Sequence, residues 1–499
     1  MAWYDRLLRR RQQERKPVQL IQKRSYKGAS GGRLFSDFFG SSASADQELR
    51  QSLVTLRNRS RELSRNDGYV ARYLNLLSTN VVGHNGIRVN CKARDADGSL
   101  DIIGNQIIER AWKAWSKKGM CTVDEQLSFL DCQKMFVEAL ARDGEVIVRK
   151  IKTNSNPYGF RLQFLEADHL IETKNELSKQ NGNRIVMGVE LDEKNKPVAY
   201  HLYKYHPHEY GYTSKTETIR VPASEIIHAF IRQRPEQTRG VPFTASVMGN
   251  IRMLNAYYES ELVAARTSSA KMGFFTSPGG DQFVGDDMED NYMPIMNAEP
   301  GTFEQLPNGM QFTPFDPNHP TTAFDAFTTS VLRSIASGLN ISYHSLSNDL
   351  SSVNYSSLRA GSLEDRAQFQ MLQKFVIEHF IEPVYREWLS QAILRNAIPL
   401  PINKYDKFAD NTTFIPRSWG WVDPQKEMMA NVTGLSHGIV TYQDIQANYG
   451  RDVEELFEQH EREEKLAEQY NIKTAHQPFG AKMPTEASVV GTGSDDADL

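Results

Sequence analysis

Two amphipathic stripes, separated by about fifty residues that fit neither, constrain this chain more than any other feature of its sequence. Phe243, Val247, Ile251, Leu254, Tyr258, Leu262 and Ala265 form one stripe, and Phe324, Phe327, Val331, Leu332, Ile335 and Leu339 form the other. Such spacing places each set on one face of a helix. A helix over residues 243–271 is about 43 Å long at 1.5 Å per residue. Gly273 and Pro278-Gly279-Gly280 end it, and residues 281–320 are acidic and turn-rich. The pattern predicts a pair of long helices, over residues 243–271 and 323–340, flanking a compact insert over 272–322.

The rest of the chain reads as α+β. Leu49, Leu53, Leu56, Leu63, Val70, Leu74 and Leu77 give residues 46–82 helical spacing, broken at Gly83-His84-Asn85-Gly86. Further helices are expected over 102–115 and over 129–142, the latter running into Gly144. Short β-rich runs follow at 145–151, 160–165, 186–191, 198–205 and 226–231, separated by turn residues. Beyond the second stripe, residues 341–357 are rich in Ser and Asn and are expected to form an exposed loop. Helical spacing resumes over 358–380 and is expected to kink at Pro383. Strands and turns occupy 399–423, and Pro424 opens a helical region reaching about residue 470. With 499 residues, 39% of them hydrophobic, the chain exceeds what one core supports, and two to four domains are expected.

Charge is balanced overall but segregated. Lys and Arg number 58 against 62 Asp and Glu, so a net charge of −4 gives no general attraction to nucleic acid. Residues 1–45 are basic and Gly/Ser-rich, and read as a flexible arm, either a solvated tail without a partner or one in which Arg9, Arg10, Arg11 and Arg15 meet DNA or an acidic protein. Glu454, Glu455, Glu458, Glu461, Glu463, Glu464 and Glu468 form an acidic helical run, and residues 471–499 read as a disordered tail. Cys91, Cys121 and Cys132 show no paired spacing and are expected to be buried free thiols. No apolar run of signal-peptide length precedes Arg9, and none reaches eighteen residues. An intracellular chain without a membrane span is expected.

No phosphate-cradling loop, H-E-x-x-H pair, C-x-x-C pair or G-x-S-x-G elbow occurs, so neither catalytic residue nor cofactor is expected. Ser268 and Lys271 match S-x-x-K without its partner motifs. His201, His206 and His208 read as surface histidines of a strand-and-turn region. Asp286, Asp287, Glu289 and Asp290 read first as a solvated or partner-docking face. The alternative is a metal-dependent DNA-processing enzyme using Asp286, Asp287 and Asp290.

The order of several short motifs resembles the lambda-type family of tailed-bacteriophage portal proteins. They are Arg65-Asn66-Asp67-Gly68-Tyr69, Asn80-Val81-Val82-Gly83, Trp112 with Trp115, Asp143-Gly144-Glu145 and Gln237-Thr238-Arg239-Gly240. Then come Leu332-Arg333 with Ile335-Ala336-Ser337-Gly338-Leu339, Ser342-Tyr343 with Leu346-Ser347, Tyr355-Ser356 with Arg359-Ala360, and Trp419-Gly420-Trp421-Val422-Asp423-Pro424. His344 stands where an acidic residue is expected after the Ser-Tyr pair.

The resemblance implies a portal architecture: a wing over 46–242, stem helices over 243–271 and 323–340, a clip over 272–322 and a tunnel loop over 341–357. A long kinked helix and wing completion would occupy 358–423, and a helical crown 424–470. It further implies a ring, usually of twelve copies, at one capsid vertex of the virion, assembled in the host cytoplasm, with no catalysis of its own. Duplex DNA would enter through it during packaging and leave on infection. The terminase large subunit and then a head-completion or connector protein would dock on the clip residues Asp286, Asp287, Glu289 and Asp290. Major capsid and scaffold proteins are further implied partners. Ser342, Tyr343, His344, Asn348, Asp349, Asn354 and Tyr355 would face the DNA, in a segment whose lack of Lys or Arg before Arg359 avoids gripping phosphates.

Overall fold

The computed structural model describes residues 42–177, 182–209, 217–269, 273–276, 287–288, 294–295, 311–314, 324–351, 354–419, 424–448 and 453–471. Helix α1 (Ala45–Asn66) begins at Ser44, whose hydroxyl accepts the Gln47 N–H. Asp46 and Glu48 in its first turn and Arg65 in its last suit the helix dipole. Asp67 ends α1 and opens α2 (Gly68–Leu77): its own N–H bonds to the Leu63 carbonyl, while its carboxylate accepts from Val70 N. A π-type turn, Ser78–Val82, closes α2 at Gly83.

Strand β1 (Arg88–Cys91), α3 (Ile102–Trp115) and α4 (Phe129–Asp143) follow. Ser128 and Asp131 form a capping box on α4. Eight strands come next: β2 (Glu145–Lys152), β3 (Phe160–Leu165), β4 (Glu176–Leu177), β5 (Arg184–Val186), β6 (Val189–Leu191), β7 (Pro197–Tyr203), β8 (Thr218–Pro222) and β9 (Ile226–Phe230). They form a three-stranded antiparallel sheet ordered β3-β2-β9 and a five-stranded meander, β4 to β8.

The run 186–191, expected as one strand, is instead a hairpin. Met187 (φ +44°) and Gly188 (φ +85°) form the turn between β5 and β6. Paired positive φ values suit a two-residue hairpin turn, but methionine is an unusual residue for one, which hid it from sequence reading. Burial of Met187 against Leu49 and Leu53, and its N–H bond to Asn175 Oδ1, hold it there.

Helix α5 (Met248–Ser269) starts later than its stripe, because a 3-10 turn at Phe243–Ser246 precedes it. The insert contributes β10 (Gly273–Thr276), β11 (Asp287–Met288), β12 (Pro294–Ile295) and β13 (Gln311–Pro314), with β10 paired to β13 and β11 to β12, both antiparallel. Helix α6 (Phe324–Gly338) returns. Residues 341–357, expected as an exposed loop, contain α7 (Tyr343–Ser347) and the start of α8 (Tyr355–Val376). The helix forms there because the Ser342 hydroxyl caps it and Leu346 is fully buried beneath it.

Pro383 does not break the next helix. Helix α8 widens into one π-type turn, Ile377–Ile381, and continues as α9 (Glu382–Leu394), with Pro383 directly after the widened turn, where the lost i→i−4 pattern accommodates a residue without an N–H. Helix α10 (Tyr405–Asp410) leads to β14 (Thr412–Ile415), which pairs antiparallel with β1 and so ties the chain back to its beginning. Helices α11 (Pro424–Ser436), α12 (Tyr442–Asn448) and α13 (Val453–Gln469) end the described residues, and α13 carries the acidic run.

The main core joins α3, α4, β3 and α9 through aromatic rings. Trp112 and Trp388 have centroids 4.9 Å apart, and Phe136 stacks on Phe380 at 4.5 Å. The same core continues through Val247, Ile251 and Leu254 to Leu332, Ile335 and Leu339, so the roots of the helix pair are buried in the mixed helix-and-sheet body. No helix among the described residues is long and apolar enough to cross a membrane.

Candidate functional site at the root of the helix pair

The motifs scattered through the sequence converge where α5 and α6 leave the sheets. Gly144 closes α4 in the left-handed region (φ +87°), and a Cβ there would lie 2.3 Å from the Val241 carbonyl carbon. A Cβ on Gly240 would lie 2.0 Å from Gly144 O. The two glycines therefore let two backbones cross in contact.

That crossing aligns Glu145 with Arg239, both fully buried. The Arg239 Nε lies 2.8 Å from Glu145 Oε2, and its Nη1 donates to the Met187 carbonyl at 2.9 Å. His228 Nε2 lies 3.1 Å from the same carboxylate, and the Gly240 N–H donates to it at 3.2 Å. Burial alone would push the Glu145 carboxyl up, but the Arg239 charge and hydrogen bonds from His228 and Arg239 hold it well below the usual carboxylate range.

Helix α1 joins this network through two arginines one turn apart. Arg57 reaches Asp168 at 3.2 Å and also Glu172. Arg61 reaches Asp143 at 2.7 Å and Asp168 at 2.6 Å. Burial works against the charged form of Asp168, yet the two guanidinium groups keep its carboxyl low. Ser60 Oγ and Thr244 Oγ1, both buried, lie 2.8 Å apart and bond α1 to the turn that launches α5.

Higher on α5, Asn255 donates to the Asp67 carboxylate at 2.9 Å, and Tyr69 OH approaches Tyr258 OH at 3.5 Å. Gly338 lets α6 press against α5, since a Cβ there would sit 2.3 Å from Val247 Cγ1. Farther out the two stripes lose their cover, with Leu262 and Phe327 exposed, and Met253 and Val263 lie exposed beside the first stripe.

The residues expected to face DNA begin at the same root. Asp365 of α8 accepts from Ser342 N at 2.7 Å, Ser342 Oγ at 2.7 Å and Ser345 Oγ at 2.6 Å. Arg72 of α2 donates to the Ser345 carbonyl at 2.8 Å and to Asn348 Oδ1 at 3.2 Å. Tyr343 donates to Asp349 at 3.0 Å, and His344 Nδ1 lies 3.0 Å from the Asp349 carbonyl. Asn354 caps α8 by accepting the Ser357 N–H, and Tyr355 is that helix's first residue. The hydroxyls of Ser342 and Ser345 are therefore committed internally. Asp365 and Arg72 escaped the sequence reading, because both partners lie on other helices.

The remaining expectations divide. Asp287 lies on β11, opposite Ile295. Asp286, Glu289, Asp290, Arg9, Arg10, Arg11, Arg15 and Lys271 fall outside the described residues. His201 is separated from His206, and its Nε2 lies 3.1 Å from the buried Glu190, which Arg220 also pairs. His206, Glu166 and Asp168 bring potential ligand atoms within 4.8 Å of one another. The Arg61 guanidinium lies 2.6 Å from Asp168 and 3.4 Å from Glu166, so the donor set already holds a cation and does not fit a divalent metal. All three cysteines are buried and free.

This geometry defines a structural junction, built to hold a helix pair rigidly on a two-sheet body. Residues 31–373 match the family model for phage portal proteins of the lambda family, and the chain belongs to that family. It is 36% identical over 445 residues to the "Probable portal protein" of Halomonas phage phiHAP-1, covering 87% of this chain and 85% of the relative. Portal protein B of Escherichia phage lambda is 25% identical over 500 residues, covering 90% of this chain and 91% of that one. A solved structure, the neck of a native GTA particle computed with C12 symmetry, aligns over 80% of this chain and 93% of its own, at 11% identity and a TM-score of 0.42. The family is a structural capsid component rather than an enzyme family, and the nuclease alternative has no support in it.

Proposed function

We propose that the chain is one subunit of a ring, usually of twelve copies, that conducts duplex DNA through a vertex of the virion capsid. The observation that carries this reading is the family match across residues 31–373. The exposed side chains of Met253, Leu262, Val263 and Phe327 support it, because one chain leaves them uncovered and a neighbour in a ring would bury them. In this reading α5 and α6 are the stem, residues 272–322 the clip, and α11 to α13 the crown. Residues 46–242 form the wing, which 358–423 complete.

A conduit must pass DNA without gripping it. Residues 342–355 are proposed to face the channel, where they offer no lysine or arginine of their own. Arg72, the cation bonded to this turn, is engaged by Ser345 and Asn348. The acidic residues of 286–290 suit exchangeable, electrostatically steered partners: the terminase large subunit first, a head-completion or connector protein later. Major capsid and scaffold proteins are further proposed partners, met in the host cytoplasm during assembly.

The test is assembly mass with electron images of the same sample. A species near twelve times 56.8 kDa with a central hole is expected. A chain that stays monomeric at high concentration overturns the reading.

A further inference from the structure

Among the described residues, no side chain of α11, α12 or α13 is buried. Core burial therefore does not anchor those helices there, in contrast to α5 and α6, whose roots are part of the main core. The chain that leads to them leaves β14 at Ile415 and runs through residues 416–419, beside the π-type turn Ser78–Val82.

That turn is the end of a helix, closed at Gly83 (φ +75°), so its last carbonyls lack partners within the helix. Arg417 donates to the Thr79 carbonyl, and its stem lies against Gly83, where a Cβ would sit 2.9 Å from Arg417 Cδ. Gln373 of α8 is buried and aims its amide NH2 at carbonyls on both sides of the contact. It meets Asn80 O at 3.2 Å and Val81 O at 3.3 Å on the turn, and Arg417 O at 2.9 Å on the passing chain. Trp419 Nε1 donates to Asn80 Oδ1 at 3.0 Å, and its ring stacks on Phe369, one helical turn before Gln373, with centroids 6.3 Å apart.

We infer that residues 416–419 are a strap locked onto the body, and that this lock, not packing of the helices themselves, sets the direction in which α11 leaves. The grips differ in kind: a guanidinium on a helix-end carbonyl, a buried amide on the strap's own carbonyl, and an indole held by a side-chain amide and a ring. Pro424 follows Trp419 by five residues, at most about 18 Å of extended chain, so the start of α11 stays within that radius of the lock. Opening the strap would leave the body folded, because β14 pairs with β1 upstream of it. The inference rests on neither the ring nor the conduit reading.

The test uses the full chain, whose native cysteines are all buried. Nitroxide labels on Ile103→Cys in α3 and Met429→Cys in α11, both exposed positions, report the distance between body and helix by pulsed electron resonance. Excess unlabelled chain restricts the signal to distances within one chain. One narrow distribution is expected for the otherwise unchanged chain. Arg417→Ala with Trp419→Ala should broaden it about twofold, as should Gln373→Leu, because a local tether opens while the rest stays folded. Amide hydrogen exchange in β1 and β14 should keep its rate in the strap variant. An unchanged width in the strap variant overturns the inference, as does a distribution that is already as broad before the strap is altered. Faster exchange in β1 and β14 also overturns it, because the strap would then be part of the fold of that sheet rather than a lock upon it. Should Gln373→Leu fail to fold, the strap variant alone decides.

Discussion

The root of the helix pair and helix α13 use the same side chains for opposite ends. At the root, Glu145 and Arg239 pair with no exposure of either side chain. On α13, Arg462 pairs with Glu458, and Lys465 with Glu461, four residues apart on a solvated surface, with the Arg462 side chain 68% exposed. Taking charges out of water is costly, so the buried pair persists only while every partner is present, and loss of one partner leaves a stranded charge. An exposed pair exchanges its partner for water with little effect. Burial, not the pairing itself, decides which contacts hold the helix pair to the sheets.

The largest effect should follow from Arg239→Ala. It leaves Glu145 with His228 and the Arg57 guanidinium at 3.7 Å in place of its closest cation and frees the Met187 carbonyl, and should cost about 3–5 kcal/mol. Chemical denaturation at fixed protein concentration measures this, since any assembly makes stability concentration-dependent. A loss of under about 1 kcal/mol would show that the network tolerates a missing charge. Next comes Gly240→Ala, whose new Cβ meets the Gly144 carbonyl oxygen at 2.0 Å. Relief requires two backbones to part, so a cost of about 3 kcal/mol is expected, at the upper end for overpacking.

The pH dependence sharpens the same contrast. The folded-state value of Glu145 lies below its unfolded one, so the stability it contributes is fully present above the ordinary carboxylate range. That contribution fades as pH falls through this range toward the folded value. Glu190, held down to about 2 first by its bond from Arg220, acts in the same direction. Glu145→Gln should therefore lower stability at neutral pH yet fall less steeply with acid than the parent. Parallel curves would remove Glu145 from the account of acid sensitivity. A smaller effect, about 1–2 kcal/mol, is expected for Asp365→Ala, which leaves Ser342 N–H and two hydroxyls without their acceptor.

What the sequence revealed follows the range of the interactions. Helix α3 was readable to its ends, because its stripe and its Asp101 cap are local. The long stripe at residues 243–265 was readable as a helix face, but not as half core and half uncovered surface, because Val247 and Leu262 look alike until α6 is placed. Asp143-Gly144-Glu145 and Gln237-Thr238-Arg239-Gly240 could be seen as motifs. That each glycine makes room for the other's backbone, and that Glu145 neutralises Arg239, depends on a contact across more than ninety residues. The 341–357 segment misled for the same reason: its serines look solvated by composition, while the Asp365 that binds them lies on α8.

The smallest expected effect is the control that gives the largest its meaning. Lys465→Ala removes one exposed partner of Glu461, whose carboxyl is lowered chiefly by that lysine's hydrogen bond. Water replaces the bond, and Ala has good helix propensity. The denaturation midpoint should be indistinguishable from the parent's, and 1 M salt should change neither protein's midpoint relative to the other, because an exposed pair that salt screens contributes nothing left to lose. If Lys465→Ala instead destabilises as Arg239→Ala does, α13 is buried in the working assembly, and its acidic face has a partner that the single chain lacks.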